Sequence, residues 1–294
     1  MTTFAVTAPA TSANLGSGFD CFALALDLWN ELEVTLGEFG VEIEGEGAGE
    51  LATDASNLAL RAFALVADPA GYRFRLVNRI PLERGLGSSA AAIAAGYAAG
   101  CAVTGVEFRP FELPAEAVAL DGHADNLAAA FAGGVCLTWS DATGRHVRRL
   151  ADAAPLEAVA VIPSTRGRTA DSRGRLPATV SHATAAVAAG RGALLGAAVA
   201  AGDADLFVAS AGDVLHQPFR SADAFTFAAL EAAPPPGVRA VTLSGSGPTA
   251  IAWVDRADAE RVAELLTERF AGEATVSVLA AAAAGVTTRE TIAR

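Results

Sequence analysis

Polar and apolar positions alternate along FAVTA at 4–8, then along ELEVTL at 31–36 and VEIEGE at 41–46. A period of two with one wet face predicts half-buried antiparallel strands. The spacing changes in NLALRAFALVA, 57–67, where apolar residues behind a Ser56/Asn57 start recur at helical intervals. YRFRLVNRI, 72–80, alternates again and leads through Pro81 into IPLERGLGSSAAA. Beyond that loop, SSAAAIAAGYAAGCAV predicts a buried, closely packed helix capped by serine. FELPAEAVAL and HADNLAAAFAGG predict two more short helices, and GVCLTWS and HVRRL a hairpin through Asp141 to Gly144.

The second half opens on a buried strand, LEAVAVIP, followed by the polar, arginine-rich STRGRTADSRGRLP and three helical stretches between 178 and 232. RAVTLS, TAIAWV, the amphipathic RADAERVAELLTERF and TVSVLA then close the chain as β, β, α, β, which suits a split βαβ sheet with helices on one face. The pattern is that of an α+β protein of two domains, 1–150 and 151–294.

Composition narrows the function. A formal charge of −12 leaves no basic surface for a phosphate backbone, so nucleic acid is not an expected partner. All 21 basic residues are arginine, which excludes a Schiff base, a lysine general base and a P-loop lysine. Cys21, Cys101 and Cys136 show no CxxC spacing and read as small buried hydrophobes. MTTFAVTAPATSAN has no charged n-region or apolar h-region, and the longest apolar stretch, Ala90 to Val103, falls short of a membrane span. A cytoplasmic protein without a membrane partner is expected.

Three glycine stretches carry candidate chemistry. GLGSS, Gly85 to Ser89, stands before a helix, where unpaired amides and the helix dipole favour an anion; alone, it fits equally a serine-capped helix packed too tightly for larger residues. PATSANLGSGFD, 9–20, gathers Ser12, Asn14, Ser17 and Asp20 among glycines, more polar groups than a turn requires. SGSGPT, 244–249, joins two strands and reads alone as a hairpin turn.

In this order and at these separations, PATSANLGSGFD, IPLERGLGSSAAA and SGSGPTA resemble the three motifs of the GHMP kinase superfamily. Within it SANLGSGFD, HADN at 123–126, TADSRGRLP at 169–177 and HQPFR at 216–220 are similar to the homoserine kinases. The resemblance implies a ribosomal protein S5 domain 2-like N-terminal domain, a ferredoxin-like C-terminal domain, and phosphorylation of L-homoserine by ATP with Mg²⁺. Homodimers are common in the family.

By the same resemblance ATP contacts Asn57, Pro81, Arg84, Gly85, Leu86, Gly87, Ser88, Ser89 and Ala90, and Ser89 with Asp121 reaches Mg²⁺. The family usually carries EGH where this chain has DGH, so the shorter Asp121 must reach the metal through a shifted backbone or a water; otherwise it is a solvated acid at a helix end. Asn14, Asp20, His123, Asn126, Thr169, Arg173, Arg220 and Gly245 are the implied acceptor contacts. Asp20 and Asn14 suit an ammonium and hydroxyl, and Arg173 and Arg220 a carboxylate; in a polar loop the arginines also fit a plain surface role. Asn126 orients the hydroxyl and Arg173 assists, with Asp125 as second choice for a base. The alternatives are a kinase for another small alcohol (mevalonate, a cytidyl diphospho-polyol, shikimate) and a non-catalytic sensor on the same fold.

Overall fold

The computed structural model describes residues 2–167 and 174–292. Its strands are β1 (Thr2–Ala13), β2 (Phe22–Leu36), β3 (Gly40–Gly45), β4 (Tyr72–Asn78), β5 (Val135–Asp141), β6 (Gly144–Ala151), β7 (Glu157–Pro163), β8 (Val238–Leu243), β9 (Ala250–Val254), β10 (Ala274–Leu279) and β11 (Thr287–Ile292). The α-helices among the described residues are α1 (Leu58–Phe63), α2 (Ser88–Thr104), α3 (Ala115–Asp121), α4 (Ala124–Ala132), α5 (His182–Ala201), α6 (Ala204–Ser210), α7 (Gln217–Arg220), α8 (Phe225–Ala232) and α9 (Ala259–Arg269). The region 178–232 thus holds four helices where the spacing predicts three.

The first sheet runs β11-β1-β2-β4-β3, with β5 on β2 and β6 on β5. β1 continues past the alternating FAVTA, shifting register between Pro9 and Ala10, where proline offers no N–H to the ladder. Ala10, Thr11, Ser12 and Ala13 are buried there. The first half of β2, FALAL, is buried on both faces and shows no alternation to read. VEIEGE pairs parallel to β4, not antiparallel, because α1 lies between the two strands as a crossover. β11, TTRETI, has no apolar face to signal it, yet pairs with β1 from Thr2↔Ile292 to Thr7↔Thr287. β11 therefore returns to the first sheet, one strand beyond the β, β, α, β read from sequence.

The second sheet, β10-β7-β9-β8, is antiparallel throughout and has the strand order of a ferredoxin-like βαββαβ unit. β7 is buried on both faces. Val159 and Val161 meet Phe227 of α8 and Val262 and Leu266 of α9, while Ala158, Ala160 and Ile162 join the core of the first sheet. Trp253 of β9 is fully buried against Phe207 of α6, and its Nε1 donates to Thr242 Oγ1 at 2.8 Å. Among the described residues α5, at 20 residues, is long and apolar enough by length and composition to cross a membrane; in this fold Leu195, Ala198 and Val199 are buried on it.

α2 crosses beneath the first sheet and touches α1 closely. A Cβ on Gly96 would stand 1.9 Å from the Ala59 carbonyl oxygen, and one on Gly100 3.0 Å from that of Phe63. Gly96→Ala, favourable by helix propensity alone, is expected to destabilise the protein by about 1–3 kcal/mol through this overlap. Urea unfolding checks it, and a stability equal to or above wild type contradicts the contact.

Candidate active site

Three loops meet between the sheets. Gly87, in the left-handed region at φ 67°, stands at the N-terminus of α2, and no side chain caps that end among the described residues. The expected serine cap is therefore not formed. The first-turn amides of a helix lack intrahelical acceptors, so these point toward whatever occupies the loop. The Ser89 hydroxyl turns instead to a carboxylate: Ser89 Oγ donates to Asp121 Oδ1 at 2.5 Å.

The loop is held by the other two motifs. Thr11 N donates to Leu86 O at 3.0 Å, Gly245 N to Ala13 O at 3.1 Å, and Thr249 N to Arg84 O at 3.3 Å. Ser244 Oγ donates to Gly85 O at 2.6 Å and lies 2.9 Å from Ser12 Oγ. SGSGPT is accordingly a six-residue loop packed on the phosphate-type loop, not a tight hairpin turn.

These elements enclose a cavity of about 630 Å³. One end is lined by Leu58, Leu76, Leu82 and Asn57, the middle by Gly85 to Ser89, and the other end by Asn14, Asp20, His123, Asp125, Asn126, Arg220 and Gly245. Asp121 sits beside Ser89 in the same wall. The cavity offers an apolar slot, an amide cradle, and a polar end lined by carboxylates and one guanidinium.

Residues 54–134 match the family model "GHMP kinases N terminal domain" and residues 185–272 match "GHMP kinases C terminal". The chain is 38% identical over 277 residues to the homoserine kinase of Streptomyces avermitilis, covering 90% of each. It is 42% identical over 258 residues to that of Moorella thermoacetica, covering 84% of this chain and 86% of the relative. The crystal structure of homoserine kinase from Cytophaga hutchinsonii superposes with a TM-score of 0.83 at 27% identity, over 98% of this chain and 97% of that one. The chain belongs to the homoserine kinase family of GHMP kinases.

Within this homoserine kinase fold several implied contacts have structural duties. Asn57 caps α1, accepting from Ala59 N at 3.0 Å, while its Nδ2 donates to Ala52 O at 2.8 Å. The Arg84 guanidinium donates to the carbonyls of Pro163, Leu82 and Ser164 at 2.8, 3.0 and 2.5 Å, tying the loop to the end of β7. Pro81 lines the cavity, whereas Ala90 is buried behind it. Asn14 donates through Nδ2 to Gly245 O at 3.0 Å and accepts from Asp20 N at 3.0 Å, so it sets the position of Asp20. Thr169 and Arg173 lie outside the described residues.

Arg220 is buried, and its Nη1 donates to Gly245 O and to His216 Nδ1, each at 3.3 Å. His216 Nε2 donates to Gly16 O at 2.9 Å, which leaves Nδ1 as the acceptor and makes the ring neutral. Burial lowers the His216 pKa, against the opposing pull of Asp213 and of the bond to Gly16, and the Arg220 charge adds to the lowering. His216 thus orients Arg220 without adding a second positive charge.

Sequence reasoning missed Thr11 and Ser244, which hold the loops together with Ser12, and Asn30, whose Oδ1 accepts from Arg79 N and Ile80 N at 2.8 and 2.9 Å where the chain enters the phosphate-type loop. Thr11 and Ser244 stood inside the quoted motifs. Asn30 had only its polarity in an apolar strand to mark it.

Burial pushes the Asp125 carboxyl up to about 7, with Asp20 and Asp121 adding repulsion. Asp121 is also raised, by burial, while Ser89 and His123 oppose the shift. An acid whose pKa rises on folding stabilises the fold while protonated, and that contribution is lost as pH climbs from about 4 through about 7. Asp125→Asn should therefore gain melting temperature over wild type at pH 8 and lose most of that gain at pH 4.5. An equal difference at both pH values contradicts the buried titration.

Proposed function

We infer that the protein transfers the γ-phosphoryl group of ATP to the side-chain hydroxyl of L-homoserine, giving O-phospho-L-homoserine and ADP. The observation that carries this is one cavity holding both an amide cradle at the α2 N-terminus and a polar end to which Asp20 and Arg220 both contribute. The named relatives support the choice of acceptor. We divide the chain near residue 150 into an ATP-binding domain and a second domain, with β11 crossing back to the first. The reaction is placed in the cytoplasm, as the work of a soluble enzyme with two small-molecule substrates.

In this reading the base lies in the slot near Asn57, and the phosphates rest on the amides of Gly85 to Ala90 and on Ser88. Arg84 supports the loop from behind. The Ser89 hydroxyl and Asp121 carboxylate fit Mg²⁺, a hard cation that takes its other ligands from phosphate oxygens and water. Bound there, it would neutralise phosphate charge during transfer. Asp20 receives the ammonium of the acceptor, and Arg220, with Arg173 and Thr169 from the segment after Gly167, receives the carboxylate. His123, at the start of α4, closes the acceptor end.

The transition state of phosphoryl transfer is loose, so little proton removal is needed early and positioning carries most of the rate. Asn126 then orients the hydroxyl without acting as a base. Asp125 is the second reading, favoured by its carboxyl lying near 7 in the same cavity. Asp125→Asn separates the two. Loss of kcat by less than about tenfold fits catalysis without a base, and a loss beyond about 100-fold assigns Asp125 that role.

ADP release measured with L-homoserine, L-serine, mevalonate and shikimate tests the function, with turnover expected on homoserine; silence there with turnover on another alcohol overturns it. Arg220→Met should raise the homoserine KM by at least about tenfold while leaving the ATP KM within about twofold. Equal effects on both substrates remove Arg220 from carboxylate binding. Asp121→Asn should shift the Mg²⁺ titration of activity to higher concentration, and an unchanged titration excludes it from the metal shell.

A further inference from the structure

Thr11 is fully buried in β1 and touches two parts of the site at once. Its backbone N–H donates to Leu86 O at 3.0 Å, and its hydroxyl donates to Asn126 Oδ1 at 2.7 Å. Its side chain fills the space that a Cβ on Gly87 would need, since that atom would stand 1.8 Å from Thr11 Oγ1 and 3.1 Å from Thr11 Cβ. One residue therefore packs against the αL glycine of the phosphate-type loop and bonds the amide at the acceptor end.

We propose that Thr11 is a positioning residue that fixes the Asn126 carboxamide with its Nδ2 group turned to the acceptor and ties that orientation to the seating of the Gly85–Ser89 loop. The proposal rests on the homoserine kinase reading and deepens it. A carboxamide has two faces that differ in chemistry: Oδ1 accepts only and Nδ2 donates only. With Oδ1 held by the Thr11 hydroxyl, Asn126 donates to the acceptor oxygen. It holds a lone pair of that oxygen and leaves the hydroxyl proton directed elsewhere in the cavity.

Without the Thr11 hydroxyl, the amide is free to turn and present Oδ1. It would then accept the hydroxyl proton and rotate the nucleophilic lone pair away from the phosphate. The contact with Gly87 gives the bond its second purpose, because a shift of the loop moves Thr11 and with it the amide. Both substrates are thus positioned from one point on β1.

Thr11→Val keeps the shape and removes the hydroxyl, whereas Thr11→Ser keeps the hydroxyl and removes the methyl. The expected result is a fall in kcat on homoserine of roughly 10–100-fold for the valine variant, with the ATP KM within about twofold and the serine variant within about threefold of wild type. In an Asn126→Ala background Thr11→Val should have almost no further effect, since the group it positions is gone. Equal losses from Thr11→Val in both backgrounds, a serine variant as impaired as the valine one, or a raised ATP KM with unchanged kcat would each overturn the role. Absence of homoserine turnover in the wild type is a different failure and falls on the functional reading.

Discussion

The structure depends on the close approach of three backbones at the seam between its sheets. Gly85 can bear no Cβ because Ser244 O would lie 2.4 Å from it, and the contact of Gly87 with Thr11 is tighter still. Bonds among Ser12, Ser244 and Gly85, and between Gly245 and Ala13, fill that contact. Because β1 belongs to the first sheet and the Ser244–Thr249 loop to the second, the same atoms that join the sheets shape the cradle. The left-handed backbone of Asn14, Leu15, Asp20 and Glu83, which costs roughly 1–3 kcal/mol per residue, is offset by this network.

A site made this way needs no lysine. Backbone amides at the α2 N-terminus neither titrate nor carry a flexible stem, so their ordering is complete once the loops have packed. The remaining electrostatics runs the other way: Asp20, Asp121 and Asp125 line the cavity with Arg220. Carboxylates in such number favour cations, and a metal ion and a substrate ammonium are the two that the proposed reaction brings.

What sequence made legible was whatever repeats or breaks a period. The half-buried strands, the apolar α2 and the amphipathic α9 announced themselves, and the three glycine motifs lay in the sequence as they lie around the cavity. The first half of β2 did not, because a strand buried on both faces loses its alternation. β11 did not either, because its partner is 280 residues away in the Thr7–Thr287 pair and its side chains are polar. Motifs likewise named Asn57 and Arg84 but not which atoms were already engaged. That depends on carbonyls brought up by other segments, Ala52 in one case and Pro163 and Ser164 in the other.

The pairing of Asp125 with Asn126 follows from the same electrostatics. Asp125, which lines the acceptor end, is already pushed to about 7 by burial and by two neighbouring carboxylates. A second carboxylate at 126 would add one more negative neighbour to Asp20, Asp121 and Asp125 in the same cavity. Ionised, it would repel the γ-phosphate of the proposed reaction. In the proposed reaction an amide would orient the nucleophile at no cost in charge, and a loose transition state asks no more of it. What an amide requires in return is that its two ends be told apart, and a buried hydroxyl donor on the adjacent strand is the simplest group that can do so.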